Sequence, residues 1–218
     1  MELENKPLLC YVTAGARLAA EPPARTAALL HRIRAAVAAD VDWVQIREKD
    51  LPGGSLAALA RAAVDVARGS RTRIFINDRL DAAVAAAAAG VHLGGESLPV
   101  REVKQWCRAG HAPAEFQVGR SCHSLAESQT AERDGADYIF FGPVFASPSK
   151  ESFGQPQGLE KLAEACRSVH IPVLAIGGVT AVNAGDCVHA GAAGLAAIRL
   201  FQDASNVAEV VEQLRHLR

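Results

Sequence analysis

Short apolar runs alternate along the chain with longer segments in which apolar residues recur every three or four positions. The helical spacing is clearest in RTAALLHRIRAAVA and LAALARAAVDVA. Each apolar run is short and has few polar residues, as is typical of strands buried on both faces of a parallel sheet. Eight strands are predicted: LLCYVT (8–13), WVQI (43–46), RIFIN (73–77), GVHL (90–93), FQVGRS (116–121), DYIFFG (137–142), PVLAIGG (172–178) and GLAAI (194–198).

Eight strand–helix pairs in series predict an α/β fold, a parallel sheet closed into a (β/α)8 TIM barrel. The 218 residues suit one such domain, residues 1–218, and no linker or change of composition divides them. An open, doubly wound sheet is the alternative, but the strands are evenly spaced and no GxGxxG follows the first one. Active sites of TIM barrels lie at the C-terminal ends of the strands, so polar residues there are the candidates for function.

Charge and composition exclude several classes of function. The formal net charge is −1 and 22% of residues are charged, without a Lys/Arg run, so neither nucleic acid nor a membrane surface is an expected partner. The polar N-terminus is not a signal peptide, and no apolar stretch reaches transmembrane length. The five cysteines are scattered and lack CxxC spacing, so we expect a reducing cytoplasm and no disulfide framework or zinc site.

Polar residues end most of the predicted strands and suggest an anion-binding rim. In WVQIREKD, alternation along the strand would turn Gln45, Arg47 and Lys49 the same way; a solvated loop after Ile46 is the alternative. Arg and Lys suit phosphate oxygens, and Asp78 could ligate Mg²⁺, which one or two carboxylates typically hold together with substrate phosphates. The other candidates are Asn77, His92, Glu96, Ser97, Arg120, Ser121, Cys122, His123, Ser147, Ser149, Lys150, Gly177, Gly178, Ile198 and Arg199.

The glycine pair after strand 7 is a separate signal for phosphate. Gly177 and Gly178 would let backbone N–H groups approach an anion, and TIM barrels often bind phosphate on the loops after strands 7 and 8. Two anion sites on one rim suggest two phosphorylated substrates. A tight turn is the alternative explanation for the two glycines.

Structural roles are open for several of these residues. Asp78, in INDR, could be the N-cap of the next helix. His92 lies in an apolar run and could be a satisfied core histidine. His123, beside Ser124, could cap a helix, and Arg199 could be a surface charge only.

The motifs VQIREKD, FINDRLDAAVAAAAAGVHLGGE, GADYIFFGPVFASPSK and IPVLAIGGV, in this order and spacing, resemble the thiamine phosphate synthase family. The resemblance extends from about Leu9 to Phe201. It implies an enzyme, a thiamine-phosphate diphosphorylase, that couples an aminopyrimidine (HMP) diphosphate with thiazole phosphate by dissociative substitution and releases diphosphate. Small barrels of this kind often form homodimers.

The resemblance also implies a role for each candidate residue. Asp78 would ligate the cofactor Mg²⁺. Ser121, His123 and Lys150 are the catalytic candidates, with Ser121 near the reacting pyrimidine and Lys150 closing over the diphosphate. The substrate-binding candidates are Gln45, Arg47, Lys49 and Asn77 for the diphosphate, Ser147 and Ser149 at positions usually held by threonines, and Gly178 and the backbone after Ile198 for the thiazole phosphate. Arg199 is a further candidate, which could grip this phosphate or fill its site.

The chain departs from the family pattern at three places. Residues 95–97 read GES where synthases usually have QED, whose Asp is a second Mg²⁺ ligand. The first strand ends in Thr13-Ala14 where Thr-Asp is usual, and Arg199 stands where a serine is often found.

Two other functions stay open. The superfamily includes a thiazole tautomerase, which GRSCHSLAESQTAERDGADYIFFG resembles especially, and there a histidine at the position of His123 is implicated in moving a ring proton. That enzyme usually lacks the full QxRxK set, so retention of Arg47, Lys49, Asp78 and Lys150 favours the synthase. A non-catalytic, ligand-binding barrel of the thiamine pathway is the third hypothesis.

Overall fold

A computed structural model describes residues 6–19, 21–146 and 155–217 of the chain. Eight parallel strands close into a barrel in which each strand pairs with its neighbours in sequence and β1 pairs with β8, so the predicted TIM barrel is confirmed. The strands are β1 (Leu8–Val12), β2 (Trp43–Ile46), β3 (Arg73–Asn77), β4 (Gly90–Leu93), β5 (Gln117–Cys122), β6 (Tyr138–Phe141), β7 (Val173–Ile176) and β8 (Gly194–Ala197).

Helices follow the strands and pack against the outer face of the barrel. A single 3₁₀ turn, Gly15–Arg17, follows β1, and a π-helical turn, Cys107–His111, extends α4. The α-helices are α1 (Pro22–Ala38), α2 (Gly53–Ala67), α3 (Leu80–Ala85), α4 (Val100–Trp106), α5 (Leu125–Arg133), α6 (Gly158–Ser168), α7 (Ala184–His189), α8 (Arg199–Gln202) and α9 (Val207–Arg215).

The predicted strand limits are correct for β2, β3 and β4 and differ by one or two residues elsewhere. β7 ends at Ile176 because Gly177 and Gly178 have φ angles of 94° and 68°, which no strand accommodates. β1 ends before Thr13, and β5 is shifted by one residue so that it includes Cys122. The strands predicted at 137–142 and 194–198 are β6 and β8, shortened at their ends.

Aromatic rings fill the part of the barrel interior that lies toward the N-terminal ends of the strands. The ring of Trp43 lies 4.7 Å from that of Tyr138 and 5.0 Å from that of Phe75, centroid to centroid. Tyr138 has room because Gly119 faces it: a Cβ at Gly119 would lie 2.1 Å from the tyrosine Cζ. Such pairs each contribute about 0.5–1.5 kcal/mol beyond the area they bury. This aromatic layer makes the barrel a packed core.

The next inward positions toward the C-terminal ends are polar on four consecutive strands. Side chains alternate along a strand, so the residues two positions after Trp43, Phe75, Gly90 and Gly119 also point inward. These residues are Gln45 on β2, Asn77 on β3, His92 on β4 and Ser121 on β5. The fold therefore sets a polar layer on top of the aromatic one, where substrates of a TIM barrel bind.

An ion pair at the opposite end of the barrel ties α9 to the first two strands. Asp42 Oδ2 accepts hydrogen bonds from the Leu9 N–H (2.8 Å) and from Arg215 Nη2 (2.7 Å). Arg215 Nη1 donates to the Pro7 carbonyl oxygen at 2.7 Å. Both charged side chains are largely buried, so each is the other's counter-charge in a place with little access to water.

Replacing Asp42 with alanine is expected to lower the free energy of unfolding by about 2–3 kcal/mol, because the Leu9 N–H loses its acceptor and the largely buried Arg215 loses its counter-charge. Urea denaturation followed by circular dichroism measures the change. Asp65→Ala is the matched control, since Asp65 pairs with Arg68 in an exposed ion pair that should contribute less than about 1 kcal/mol. Equal losses in both variants would contradict the assigned role.

Candidate active site

Three residues at the ends of β2 and β3 form a hydrogen-bonded chain at the mouth of the barrel. The buried Gln45 donates through Nε2 to Asn77 Oδ1 at 2.9 Å. Asn77 in turn donates through Nδ2 to Asp78 Oδ2 at 2.6 Å. The two amides thus fix Oδ2 of the Asp78 carboxylate. The structure brings together Gln45, Asn77 and Asp78, three of the residues that the sequence predicted for this rim.

The other oxygen of Asp78 is held by the loop that follows β4. Asp78 has a φ of 59°, and its Oδ1 accepts hydrogen bonds from the Gly94 N–H at 2.9 Å and from Ser97 Oγ. The N-cap of α3 is Arg79, which makes no side-chain capping bond. The alternative that Asp78 caps α3 is therefore wrong, because its carboxylate faces the β4 loop.

These contacts keep Asp78 ionised. Partial burial of the carboxyl group acts to raise its pKa, but hydrogen bonds from Ser97, the Gly94 N–H and Asn77, together with the charge of Lys49, outweigh burial, so the pKa of Asp78 is lowered. Lys49 itself is exposed. The rim therefore combines a fixed anion with a nearby exposed cation.

The carboxylate of Asp78 fits a magnesium ion that is shared with a substrate. Mg²⁺ is commonly bound through one or two carboxylates, with phosphate oxygens and water completing the octahedron. Within the described ranges, no three His, Cys, Asp or Glu side chains cluster as a metal site. A magnesium ion at Asp78 would therefore need oxygen ligands from a bound substrate or from water to complete its coordination.

Glu48 is buried, although it stands among the charges that follow β2. Its Oε1 accepts a hydrogen bond of 2.6 Å from Thr13 Oγ1, and both its oxygens lie 2.9 Å from the Gly15 nitrogen. Thr13 Oγ1 also accepts from the Arg47 N–H at 2.9 Å. Burial raises the pKa of Glu48. The alternative that the charges after Ile46 begin a solvated loop is therefore wrong for Glu48. The Glu48 side chain instead links the ends of β1 and β2.

A cleft of about 170 Å³ lies at the ends of β7 and β8 and beside the loops after β1 and β2. Three arginines contribute to its wall, and none of the described residues that line it is acidic. Guanidinium groups bind phosphate and carboxylate through two parallel hydrogen bonds, so the wall suits an anion. The lining residues are Ala14, Arg17, Arg47, Ile176, Gly177, Gly178, Val179, Ala196, Ala197, Ile198 and Arg199.

The glycine pair both makes a tight turn and forms part of this wall. A Cβ on Gly178 would lie 2.7 Å from the Ala146 carbonyl oxygen and 2.7 Å from Phe145 Cβ. The turn is fixed from outside by Asn183, whose Nδ2 donates to the Gly178 carbonyl oxygen at 3.0 Å. The backbone of Gly177 and Gly178 is therefore consistent with both interpretations, a tight turn and a position beside a bound anion.

Ser121 and His92 contact each other in the polar layer. His92 Nε2 lies 2.8 Å from Ser121 Oγ, and the imidazole packs 4.1 Å from the Phe140 ring. His92 Nδ1 is 3.4 Å from the Tyr138 hydroxyl. His92 is 1% exposed, so its interpretation as a satisfied core histidine is confirmed, and it fixes the Ser121 hydroxyl from below.

His123 lies at the same end of the barrel, just before α5. At the start of the helix the Glu127 N–H donates to Ser124 Oγ, and the His123 N–H donates to Glu127 Oε2. The cap is therefore Ser124, and the predicted capping role of His123 is wrong. The His123 ring contacts the Gly142 carbonyl oxygen through Nδ1.

Three predicted site residues, Ser147, Ser149 and Lys150, lie outside the described residues. Two residues near the cleft were missed by the sequence analysis: Arg17, in its wall, and Gln202, which holds the neighbouring loop through Ala14. Only the rule that loops after barrel strands carry function could have pointed to Arg17, since TAGAR follows the first strand.

A family model described as "Thiamine monophosphate synthase" matches residues 16–201 of the chain. The chain belongs to this family. The resemblance predicted from the sequence motifs is thereby confirmed.

Relatives of the thiamine monophosphate synthase family match most of the chain. A putative thiamine-phosphate synthase of Geobacter sulfurreducens is 42% identical over 78% of this chain and 78% of its own. The thiamine-phosphate synthase of Methanoculleus marisnigri is 40% identical over 88% and 87%. A thiamine phosphate pyrophosphorylase structure from Pyrococcus furiosus superposes with a TM-score of 0.81 at 31% identity, covering 99% of this chain and 97% of that one. The activity predicted from the motifs agrees with these names.

The departures of this family member from the usual pattern have structural counterparts. Ser97 takes the place of a carboxylate, yet it donates to Asp78 and so supports the carboxylate that remains. Ala14, where an Asp is usual, is held through its backbone N–H and carbonyl by the buried Gln202. Arg199 lines the cleft beside Gly178. No helix in the described part of the chain is long and apolar enough to cross a membrane.

Proposed function

We propose that the protein is a thiamine phosphate synthase that joins an aminopyrimidine diphosphate to thiazole phosphate. The observation that supports this best is the presence of two different anion-binding regions on one barrel rim. One is the carboxylate of Asp78 with Lys49 beside it, which suits a metal-bound diphosphate. The other is the arginine- and glycine-lined cleft at β7 and β8, whose size suits a smaller phosphorylated molecule.

The proposed reaction needs no protein nucleophile. The bond between the pyrimidine methylene carbon and the diphosphate oxygen breaks, and its electron pair leaves with the diphosphate. The thiazole nitrogen then donates its lone pair to the resulting carbocation, which forms the new carbon–nitrogen bond. Mg²⁺, when bound by Asp78 and the diphosphate, would stabilise the negative charge that develops on the leaving group.

The residues of the chain bind and orient the two substrates. We assign Gln45, Asn77 and Lys49 to the diphosphate, with Lys150 as a further cation, and the backbone at Gly178 and Ile198 to the thiazole phosphate, with Arg199 beside it. Arg47 lines the cleft and also follows β2, so it can contact either anion. Ser121, held by His92, is assigned to the pyrimidine. Ser147 and Ser149 stay predictions, as does the homodimer.

A coupling assay tests the proposal. Purified protein with the pyrimidine diphosphate, thiazole phosphate and Mg²⁺ is expected to form thiamine phosphate and diphosphate in equal amounts, measured by chromatography. EDTA should abolish the reaction and excess Mg²⁺ should restore it, because a metal ion shared by Asp78 and the diphosphate would offset the negative charge that develops on the leaving group. Absence of product under all conditions would contradict the proposal.

Thiazole tautomerisation is a second candidate, favoured by the contact of His123. If Nδ1 donates its proton to the Gly142 carbonyl oxygen, Nε2 is the basic nitrogen of a neutral ring, as a proton-transfer catalyst requires. Isomerisation of the thiazole without coupling, lost in His123→Asn, would identify a tautomerase. Binding of both ligands without either reaction would identify a non-catalytic barrel.

A further inference from the structure

We propose that Arg17 is an additional anion-binding residue of the cleft at β7 and β8, and that Asp203 competes with the anion for it. The inference rests on the proposed function, in which this cleft receives the thiazole phosphate. Arg17 belongs to none of the motifs that carry the family resemblance. Its assignment comes from its position in the cleft wall and from its partners.

Arg17 is placed where an anion in the cleft can reach it. It lines the cleft together with Arg47, Arg199 and the turn at Gly177 and Gly178. Three arginines, with no acidic residue among the described lining residues, give this cleft a positive charge that attracts anions. Arg17 supplies the part of this charge that comes from the loop after β1.

The backbone that carries Arg17 is held from two directions. Glu48 accepts hydrogen bonds from the Gly15 N–H, which starts the 3₁₀ turn that ends at Arg17. Gln202, which is 1% exposed, accepts from the Ala14 N–H at 3.0 Å and donates to the Ala14 carbonyl oxygen at 3.1 Å. The backbone that carries the Arg17 side chain is therefore fixed.

The partner of Arg17 is one that an anion can displace. Arg17 Nη2 lies 3.2 Å from Asp203 Oδ2, and the two side chains are 46% and 49% exposed. Exposed ion pairs of this kind are weak and are screened by salt. A phosphate group can accept two hydrogen bonds from the planar guanidinium and is also attracted by the other arginines of the cleft. A bound phosphate is therefore expected to displace Asp203 as the partner of Arg17.

Calorimetric titration with thiazole phosphate, without the pyrimidine substrate, tests the competition. Arg17→Met should weaken binding about five- to tenfold, because one charged hydrogen-bonding group is lost. Asp203→Asn should tighten binding about two- to fivefold, because an exposed competing carboxylate is removed. The thiazole alcohol, which lacks the phosphate, should bind all forms equally.

Controls separate the inference from general charge effects and from the proposed function. Arg68→Met removes another exposed, Asp-paired arginine, in the loop after α2, and should leave binding unchanged. The double variant Arg17→Met/Asp203→Asn should bind like Arg17→Met. Unchanged binding in Arg17→Met, or no tightening in Asp203→Asn, overturns the inference. A protein that shows both shifts but forms no thiamine phosphate would contradict the proposed function and still support the role of Arg17.

Discussion

Replacing Asp78 with asparagine is expected to lower kcat/KM for thiamine phosphate formation about a hundred- to a thousandfold, the usual cost of removing one preorganised charged or polar group that stabilises the transition state. Asparagine has almost the same shape, and its oxygen can still accept from the Gly94 N–H and Ser97 Oγ. It loses the negative charge, and its Nδ2 would face Nδ2 of Asn77, which now donates to Asp78. The rim would therefore keep its fold and lose its anionic ligand.

Two measurements distinguish a catalytic loss from a structural one. The thermal unfolding midpoint of Asp78→Asn should stay within a few degrees of that of the wild type, and direct binding of Mn²⁺ in the presence of diphosphate should weaken. Asp81→Asn is the matched control, because Asp81 lies three residues further on and pairs with Arg79 at the surface. Full activity in Asp78→Asn would contradict the assignment of the carboxylate.

The second large effect is expected at Glu48, for stability. Glu48→Ala leaves the Thr13 hydroxyl and the Gly15 N–H without their acceptor in a buried position, and the free energy of unfolding should fall by about 3 kcal/mol. Urea denaturation measures this, with Glu164→Ala on the exposed side of α6 as control. A loss no greater than that of the control would contradict the role of Glu48 in joining β1 to β2.

The raised pKa of Glu48 gives this prediction a pH dependence. Burial raises the pKa in the folded state above that of the unfolded chain, so between the two values the folded protein binds more protons. The free energy of unfolding of the wild type should then decrease, relative to Glu48→Gln, as the pH rises from the ordinary glutamate pKa through the raised value. If the free energies of unfolding of the wild type and of Glu48→Gln changed in parallel over this pH range, the prediction would be contradicted.

The sequence predicted the barrel because its signal is local. Runs such as WVQI, RIFIN and GVHL are bounded by polar or turn residues, and the strands occupy the same limits. The rim was also predictable, since the C-terminal ends of parallel strands must meet: Gln45, Asn77 and Asp78 follow from that rule alone.

The rest of the site depends on contacts between distant parts of the chain. Glu48 has the same local pattern as its charged neighbours, and only the packing of Thr13 and Gly15 against it shows that it is buried. Gln202 reaches Ala14 across 188 positions of sequence. No periodicity or motif encodes such pairs, so Arg17 and its supports became visible only in three dimensions.

The aromatic layer of Trp43, Phe75 and Tyr138 limits how ligands can reach and leave the site. Because these rings close the interior from below, the barrel has one mouth. Ligands of the polar layer are therefore expected to enter and leave by this opening. Under the proposed function, a molecule bound over the polar layer would keep the next one from the buried Gln45, so we expect depth as well as affinity to influence the order of release.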